Sequence, residues 1–363
     1  MVGGGHAHVA VLADWIHNGI PAARATLLTP SRTLRYSGMV PGWISGQYSR
    51  DDGLVDLAAL ADSAGVDLVL ERCEQVDPEG KTARASSGTV ISYDLCSIDT
   101  GGVGRAAQVL GDDARILDVR PIDRFVDRIE TIGTPAHVAA VGGGAGGVEL
   151  AFGLRNRGGS APSKITLVAG SEGLLPTFNN PARAKVANEL CLQSIAVIEA
   201  DATIEDGVLR AGDSAIGGVD LIVAALGSGA PDCPRESGLA CDDHGFIAVD
   251  KFQRSTSHPH IFAAGDVAAR QDCVVPHSGV HAVHTGPILA DNLRAAAAGL
   301  PPAKSYTPRF TNLYLMSTGR GEAIASYGPF AAQGRWAAKL KHWIDTRWLN
   351  QYADLSGTKQ DSA

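Results

Sequence analysis

The chain has 363 residues, 45% of them apolar, which is enough for two or three ordinary domains with ample buried core. A net charge of −8, with no block of lysine and arginine, argues against nucleic acid as a partner. The cysteines Cys73, Cys96, Cys191, Cys233, Cys241 and Cys273 form no C-x-x-C, so neither a zinc ribbon nor a proximal redox dithiol is expected, only scattered reduced thiols in a cytoplasmic protein.

Gly3-Gly4-Gly5-His6-Ala7-His8 opens the chain as a glycine turn, and Val9 to Trp15 reads as the helix behind it. Only Met1-Val2 stand in front, where the first strand of such a unit needs about five residues. The expectation is therefore a start further upstream, encoding a basic residue and an apolar strand. Ala25–Thr29 reads as the next strand. Behind it come Ser31, able to bond a ribose, and Arg32. Leu34–Tyr48 is rich in glycine, proline and aromatics and reads as an ordered loop with a short helix. Asp67–Leu70 and Thr89–Ser97 read as strands, the second leading into Asp99-Thr100-Gly101-Gly102.

A second unit follows. His137–Val141 is an apolar strand, Gly142-Gly143-Gly144-Ala145-Gly146-Gly147 a full G-x-G-x-x-G turn, Val148 to Arg157 a helix and Lys164–Val168 a strand. This fits the βαβ dinucleotide unit of about 30 residues. Gly142 permits the turn, Gly144 lets the backbone approach a pyrophosphate, and Gly147 lets helix and strand pack. The helix start offers free N–H groups and a positive dipole end to the phosphates. An acid about 20 residues on would take a ribose hydroxyl. Glu172 is the candidate, and the lack of a nearby Arg or Lys favours NADH while leaving NADPH open.

Val219–Ala225 reads as a buried strand ending at Leu226-Gly227, and Ile261–Ala264 as a strand running into Gly265-Asp266. A helix is expected from Ser278 to about Ala298, between Pro276 and Pro301. His277, His281 and His284 have i, i+4, i+7 spacing. No cysteine or carboxylate completes a site there, so no metal is expected, and one of the three is a candidate proton donor to an electron acceptor. FTNLYLMS, from about Pro308, has a strand pattern; Arg335–Tyr352 reads as a helix and Leu355–Ala363 as a disordered polar tail. No apolar run of about 18 residues suits a membrane span. In the last helix, Trp336, Leu340, Trp343, Ile344 and Trp348 recur at helical spacing, with Arg335, Lys339, Lys341 and Arg347 supplying charge. Two readings stay open: peripheral contact with the inner face of a membrane, or packing on the protein or at a homodimer interface.

Three of these segments carry a resemblance. IFAAGDVA (Ile261–Ala268), the paired turns Ser97–Gly101 and Ala224–Gly227, and VGGGAGGVELA (Val141–Ala151) resemble the pyridine nucleotide-disulfide oxidoreductase superfamily. The last is similar to the NAD motif of type II NADH dehydrogenases. GGGHAHV, RYSGMVPGWISGQYS and RWAAKLKHWIDTRW resemble one NADH-dehydrogenase-like branch, often found fused to selenophosphate synthetase, in which the first motif reads GGGH-x-H. The segment Pro276–His281 departs from that branch, which has Lys and Ala at His277 and Ser278 and Tyr at His281.

The resemblance implies an α/β fold. Two Rossmann-like dinucleotide-binding domains are expected, with the NAD(P)H domain (126–245) inserted in an FAD domain (1–125 and 246–302) and followed by a small C-terminal α+β segment (303–363). It implies FAD held by Gly3, Gly4, Gly5, His6, Ala7, Ser31, Arg32, Ser37, Pro41, Cys73, Thr100, Gly101, Gly265, Asp266 and Ser278. NADH falls to Gly142, Gly144, Ala145, Gly147, Glu172 and Gly227. Glu149, near the nicotinamide–flavin junction, and His277 are the catalytic candidates. The function implied is hydride transfer from NADH to FAD, then electron transfer to a quinone. The alternatives are oxygen or a redox protein as acceptor and, in another class, an NAD-binding regulator that holds FAD poorly. Without paired cysteines, a dithiol relay and sulfide oxidation are disfavoured.

Overall fold

The structure is a computed structural model, and it describes residues 1–309 and 311–355. The first parallel sheet runs Asp67–Val69, Thr26–Leu28, Val2, Cys96–Ile98, Ile261–Ala263. Its centre is a single residue. The Val2 N–H donates to the Ser97 carbonyl at 2.7 Å, and the Asp99 N–H donates to the Val2 carbonyl at 2.8 Å. On the other side the Gly3 N–H reaches the Leu28 carbonyl at 2.8 Å. The glycine turn thus leaves the sheet at once, and the helix His6–Asn18 begins earlier than the apolar pattern suggested.

The second sheet has five parallel strands in the order Ile195–Ile198, Lys164–Val168, His137–Val141, Leu221–Ala224, Ile116–Asp118. All five residues of His137–Val141 are buried, as a central strand covered on both faces requires. Its edge strand, Ile116–Asp118, precedes the 125/126 boundary expected from sequence, so the chain enters this sheet earlier. The expected strand Thr89–Ser97 is instead two short strands, Val90–Ser92 and Cys96–Ile98. The first closes an antiparallel meander with Cys73–Asp77 and Thr82–Ala85, and the second joins the parallel sheet.

Helix Gly279–Ala297 lies along helix His6–Asn18 where the backbones approach closely. A β-carbon on Gly286 would stand 2.6 Å from the Ala10 β-carbon. At the C-terminal end, Tyr314–Ser317, Ala323–Tyr327 and Phe330–Gly334 form an antiparallel sheet, followed by helix Arg335–Leu355. Met316 and Ile324 of that sheet, with Val40 and Ile44, enter the core of the second parallel sheet beside Phe152 and Leu154. Full burial of side chains of this size contributes about 2 kcal/mol each. Leu349 and Tyr352 join the core of the first helix. The C-terminal segment therefore packs on both parallel units. Of the expected disordered tail, Leu355 closes the helix and residues 356–363 lie outside the described residues, as does Phe310 of the FTNLYLMS pattern.

Candidate active site

The second glycine turn has the geometry its sequence demands. Gly142 has φ 135°, and a β-carbon there would stand 2.2 Å from the Ala225 carbonyl oxygen. A β-carbon on Gly147 would stand 2.0 Å from the Gly142 carbonyl oxygen, so this helix can approach its strand only without a side chain. Gly144 and Gly146 face open space. They line a cavity of about 610 Å³ together with Gly142, Gly147, Glu172 and Gly227. Helix Ala145–Arg155 starts there with Gly144 as its cap and no side chain taking its first N–H groups. Open backbone, free donors and a dipole end suit a pyrophosphate. Ser171, Glu172 and Asp201 line the same cavity, and Asp201 accepts from the Ser171 N–H at 2.9 Å.

The first turn is built differently. Gly3 has φ 89°, and β-carbons on Gly3 and Gly5 would meet the Asp99 carbonyl oxygen and the Asp99 carboxylate, both at 2.4 Å. One on Gly265 would stand 2.5 Å from the same carboxylate, and one on Gly4 would meet Leu57 at 2.4 Å. Asp99 was missed by sequence reasoning, although it stands immediately before the assigned Thr100 and Gly101. Its carboxylate accepts from the His8 N–H at 2.9 Å and from the Ala7 N–H, which places it on the donors of the helix start. Burial pushes its pKa up to about 7, against those hydrogen bonds.

His8, at the position of the third glycine, is fully buried. Its Nδ1–H donates to the Gly3 carbonyl at 2.6 Å, and its Nε2 accepts from the Ser97 hydroxyl at 2.7 Å. Burial holds its pKa down to about 3, so the ring is neutral. His6 is also held down, to about 4, by burial; its ring packs against Tyr36 and Trp348, and its Nε2 has no partner. Asp266 is buried and accepts from the Arg120 guanidinium at 2.8 Å. Arg120 also lines the large cavity, so the two turns meet through this pair.

The other assigned residues are spread more widely. The Ser31 hydroxyl donates to the Thr33 carbonyl at 2.7 Å; Arg32 and Ser37 are exposed, and Pro41 is buried in the short helix Val40–Ile44. Cys73 lies on the meander. Ser278 caps helix Gly279–Ala297 with a buried hydroxyl that has no partner, and it lines a cavity of about 30 Å³ with Asp266, His277 and His281. The three histidines do not share a helix face. His277 precedes the helix and stacks on Phe246 at 3.9 Å, His281 bonds the Tyr306 hydroxyl at 2.7 Å, and His284 is exposed. Among the described residues, no group of three or more His, Cys, Asp or Glu is placed to hold a metal.

Glu149 accepts from the Ser317 N–H at 2.8 Å. Burial raises its pKa, opposed by the Lys341 ammonium. Burial would lower Lys341, but Glu149 and then Asp345 outweigh it and hold the ammonium above its ordinary range. Lys341 pairs with Asp345 at 3.2 Å, and Asp345 accepts from the Tyr36 hydroxyl, also at 3.2 Å. This cluster shows one cation of the last helix packed on the protein, the second of the two readings left open by its sequence. Lys341 is turned inward, Trp348 packs on Tyr36, and Arg347 lies over the outer Trp343. Trp336 and Trp343 are exposed. Among the described residues, no helix is long and apolar enough to cross a membrane.

Known proteins share the fold. The structure superposes on the sulfide:quinone oxidoreductase of Aquifex aeolicus with a TM-score of 0.77 at 17% identity, covering 98% of this chain and 91% of the other. On the NDH2 of Plasmodium falciparum in complex with NADH the TM-score is 0.82 at 14% identity, covering 98% and 96%. The fold is thus the Rossmann-like, FAD/NAD(P)-binding oxidoreductase fold. Residues 1–290 match the pyridine nucleotide-disulphide oxidoreductase family, and the chain belongs to it. That is a family of flavin oxidoreductases that use NAD(P)H.

Among curated relatives, the dihydrolipoyl dehydrogenase of Vibrio cholerae is 28% identical over 212 residues, which are 54% of this chain. The match spans only 41% of that relative's length. Ferroptosis suppressor protein 1 of Xenopus laevis is 23% identical over 265 residues, 67% of each chain.

Proposed function

We propose that this protein oxidises NADH with a bound FAD and passes the electrons to a quinone. The observation that carries this reading is the Arg120–Asp266 pair, which joins the large cavity of the second glycine turn to the flavin motif at 2.8 Å. Residues 126–245 with the strand Ile116–Asp118 hold NADH; the remainder of 1–125 and residues 246–302 hold FAD. When bound, FAD supplies an acceptor for hydride and a donor of single electrons or pairs.

The chain's own residues bind, orient and hold protons. Gly142, Gly144 and Gly147 shape the pyrophosphate cradle, with Ala145 at the helix start and Gly227 on the facing turn. Glu172 and Asp201 line the same cavity, and carboxylates there favour a ribose hydroxyl over a 2′-phosphate, which supports NADH over NADPH. On the flavin side, the Gly3–Gly5 turn, the unpartnered His6 Nε2 and the unpartnered Ser278 hydroxyl offer buried polar contacts. Asp266 provides the acceptor for a ribityl hydroxyl, and the start of helix Gly279–Ala297 provides a positive end for a reduced ring. Glu149, within the field of the Lys341 ammonium, is the candidate to relay a proton beside the site, and His277 is a second candidate donor. Exposed Trp336 and Trp343 fit peripheral contact with a membrane that carries the quinone.

One observation favours the other class, a regulator that binds NAD and holds FAD poorly: the Asp99 carboxylate sits on the N–H groups that a flavin pyrophosphate would use. The test is NADH oxidation by the purified protein with and without a soluble quinone. The expected result is a yellow protein whose NADH oxidation rises with quinone. Undiminished oxygen consumption without quinone stimulation would make it an oxidase, and a colourless protein not restored by added FAD would leave the regulator.

A further inference from the structure

The fold brings together two thiols that lie far apart in the chain. Cys73, on strand Cys73–Asp77, and Cys233, at the start of the short helix Cys233–Glu236, are neighbours: the Cys73 thiol reaches the Gln75 carbonyl at 3.5 Å, and Cys233 and Ser237 lie beside the next residue, Val76. The strand and helix are fixed against each other beside the pair, because the Val76 N–H donates to the Ser237 hydroxyl at 3.0 Å. The same Ser237 hydroxyl lies 3.9 Å from the Cys233 sulfur. Neither thiol is fully buried, so a small solute can reach them. The third thiol nearby, Cys96, is buried beneath.

We propose that Cys73 and Cys233 form a reversible dithiol–disulfide pair, in which the Cys233 thiolate attacks a hydroperoxide and the Cys73 thiol resolves the product. The site is separate from the two glycine turns and does not depend on the acceptor that they serve.

The environment supports these roles. The neighbouring Cys73 thiol and the Ser237 hydroxyl, 3.9 Å from the sulfur, stabilise negative charge on Cys233, which favours it as the attacking sulfur. In the first step the sulfur attacks the peroxide, an S–O bond forms, the O–O bond breaks, and the leaving oxygen takes a proton as alcohol or water. In the second, the Cys73 sulfur attacks the sulfenic sulfur, the S–O bond breaks, and hydroxide leaves as water with the proton from Cys73. Two thiols lose two electrons, and one hydroperoxide is reduced. Neighbouring sulfurs have a short path to the bonding distance of about 2.05 Å.

The test uses the full chain, treated with hydrogen peroxide, alkylated, and mapped by non-reducing peptide mass spectrometry. The expected result is loss of two of the six thiols, a single linked peptide pair containing Cys73 and Cys233, and full recovery with dithiothreitol. In Cys73→Ser the disulfide is lost, and dimedone labels Cys233. Cys241→Ser is the control and leaves the linked pair in place. The proposal is overturned if all six thiols of the wild type stay alkylatable, if the link joins other cysteines, or if dimedone labels a different cysteine in Cys73→Ser.

Discussion

The two glycine turns solve the same problem with opposite chemistry. In the second, the Gly142 carbonyl forbids a β-carbon at Gly147, and the helix sits hard against its strand. In the first, the corresponding Gly3 carbonyl accepts a hydrogen bond from the ring of His8, which occupies the position of Gly147. A buried neutral imidazole there fills the space that a closer helix would have taken. The next parallel is two residues on. Glu149 of the second helix faces Lys341, whereas Ala10 of the first packs on Gly286. The second turn is an open cradle beside a charged pair, and the first is a packed joint sealed by Asp99. A glycine motif therefore specifies a turn, and its neighbours decide whether the turn is open.

Asp99 gives the largest expected effect. Its pKa in the folded protein is pushed up by burial to about 7 from an ordinary 3.8, so its contribution to stability is full below about pH 4 and is lost as pH rises through 7. In flavin-free protein, Asp99→Asn should therefore gain on the wild type as pH rises from 4 to 7, by up to about 4 kcal/mol. His6 and His8 titrate in the opposite sense, so the readout is the difference between the two denaturation curves at each pH. A difference that stays flat would remove Asp99 as the seal of the first turn.

Gly147→Ala comes next. Its β-carbon meets backbone that cannot move aside, and the cost is about 3 kcal/mol, with loss of NADH binding. Thermal unfolding and NADH titration check both.

Glu149→Gln keeps the shape and removes the charge facing Lys341. Turnover with quinone should fall about 100-fold while NADH affinity holds, as steady-state kinetics beside a binding titration would show. Equal losses in both would make Glu149 a structural residue.

His8→Gly restores the full glycine motif in the first turn. It should destabilise the protein by about 2 kcal/mol, through two lost hydrogen bonds and a void, and should not tighten flavin binding. Tighter flavin binding would mean that the histidine blocks the site.

Much of this was legible in the sequence. Three of the five strands of the second unit were read, because a full glycine motif between two apolar strands has the period and spacing of a βαβ unit; the outer strands Ile195–Ile198 and Ile116–Asp118, which carry no motif, were not. The steric roles of Gly142 and Gly147 followed. Asp99 escaped because its effect depends on three glycines, Gly3, Gly5 and Gly265, that converge on one carboxylate only in the fold. The side on which Lys341 lies stayed open because helical periodicity cannot tell an exposed cation from one paired inward with Asp345. The histidines were grouped by spacing, but the helix begins after His277, so the spacing did not apply. Cys233 was set aside as scattered and Cys73 was given only a flavin-binding role, since local spacing carries no information about a contact between a strand and a distant helix.

The proposed function requires the two turns to hold two dinucleotides close enough for hydride to pass between them. The direct test is an anaerobic titration of the flavin-loaded protein with NADH, followed by flavin absorbance. Bleaching should be complete at one NADH per flavin. A yellow protein that binds NADH and stays oxidised would contradict it.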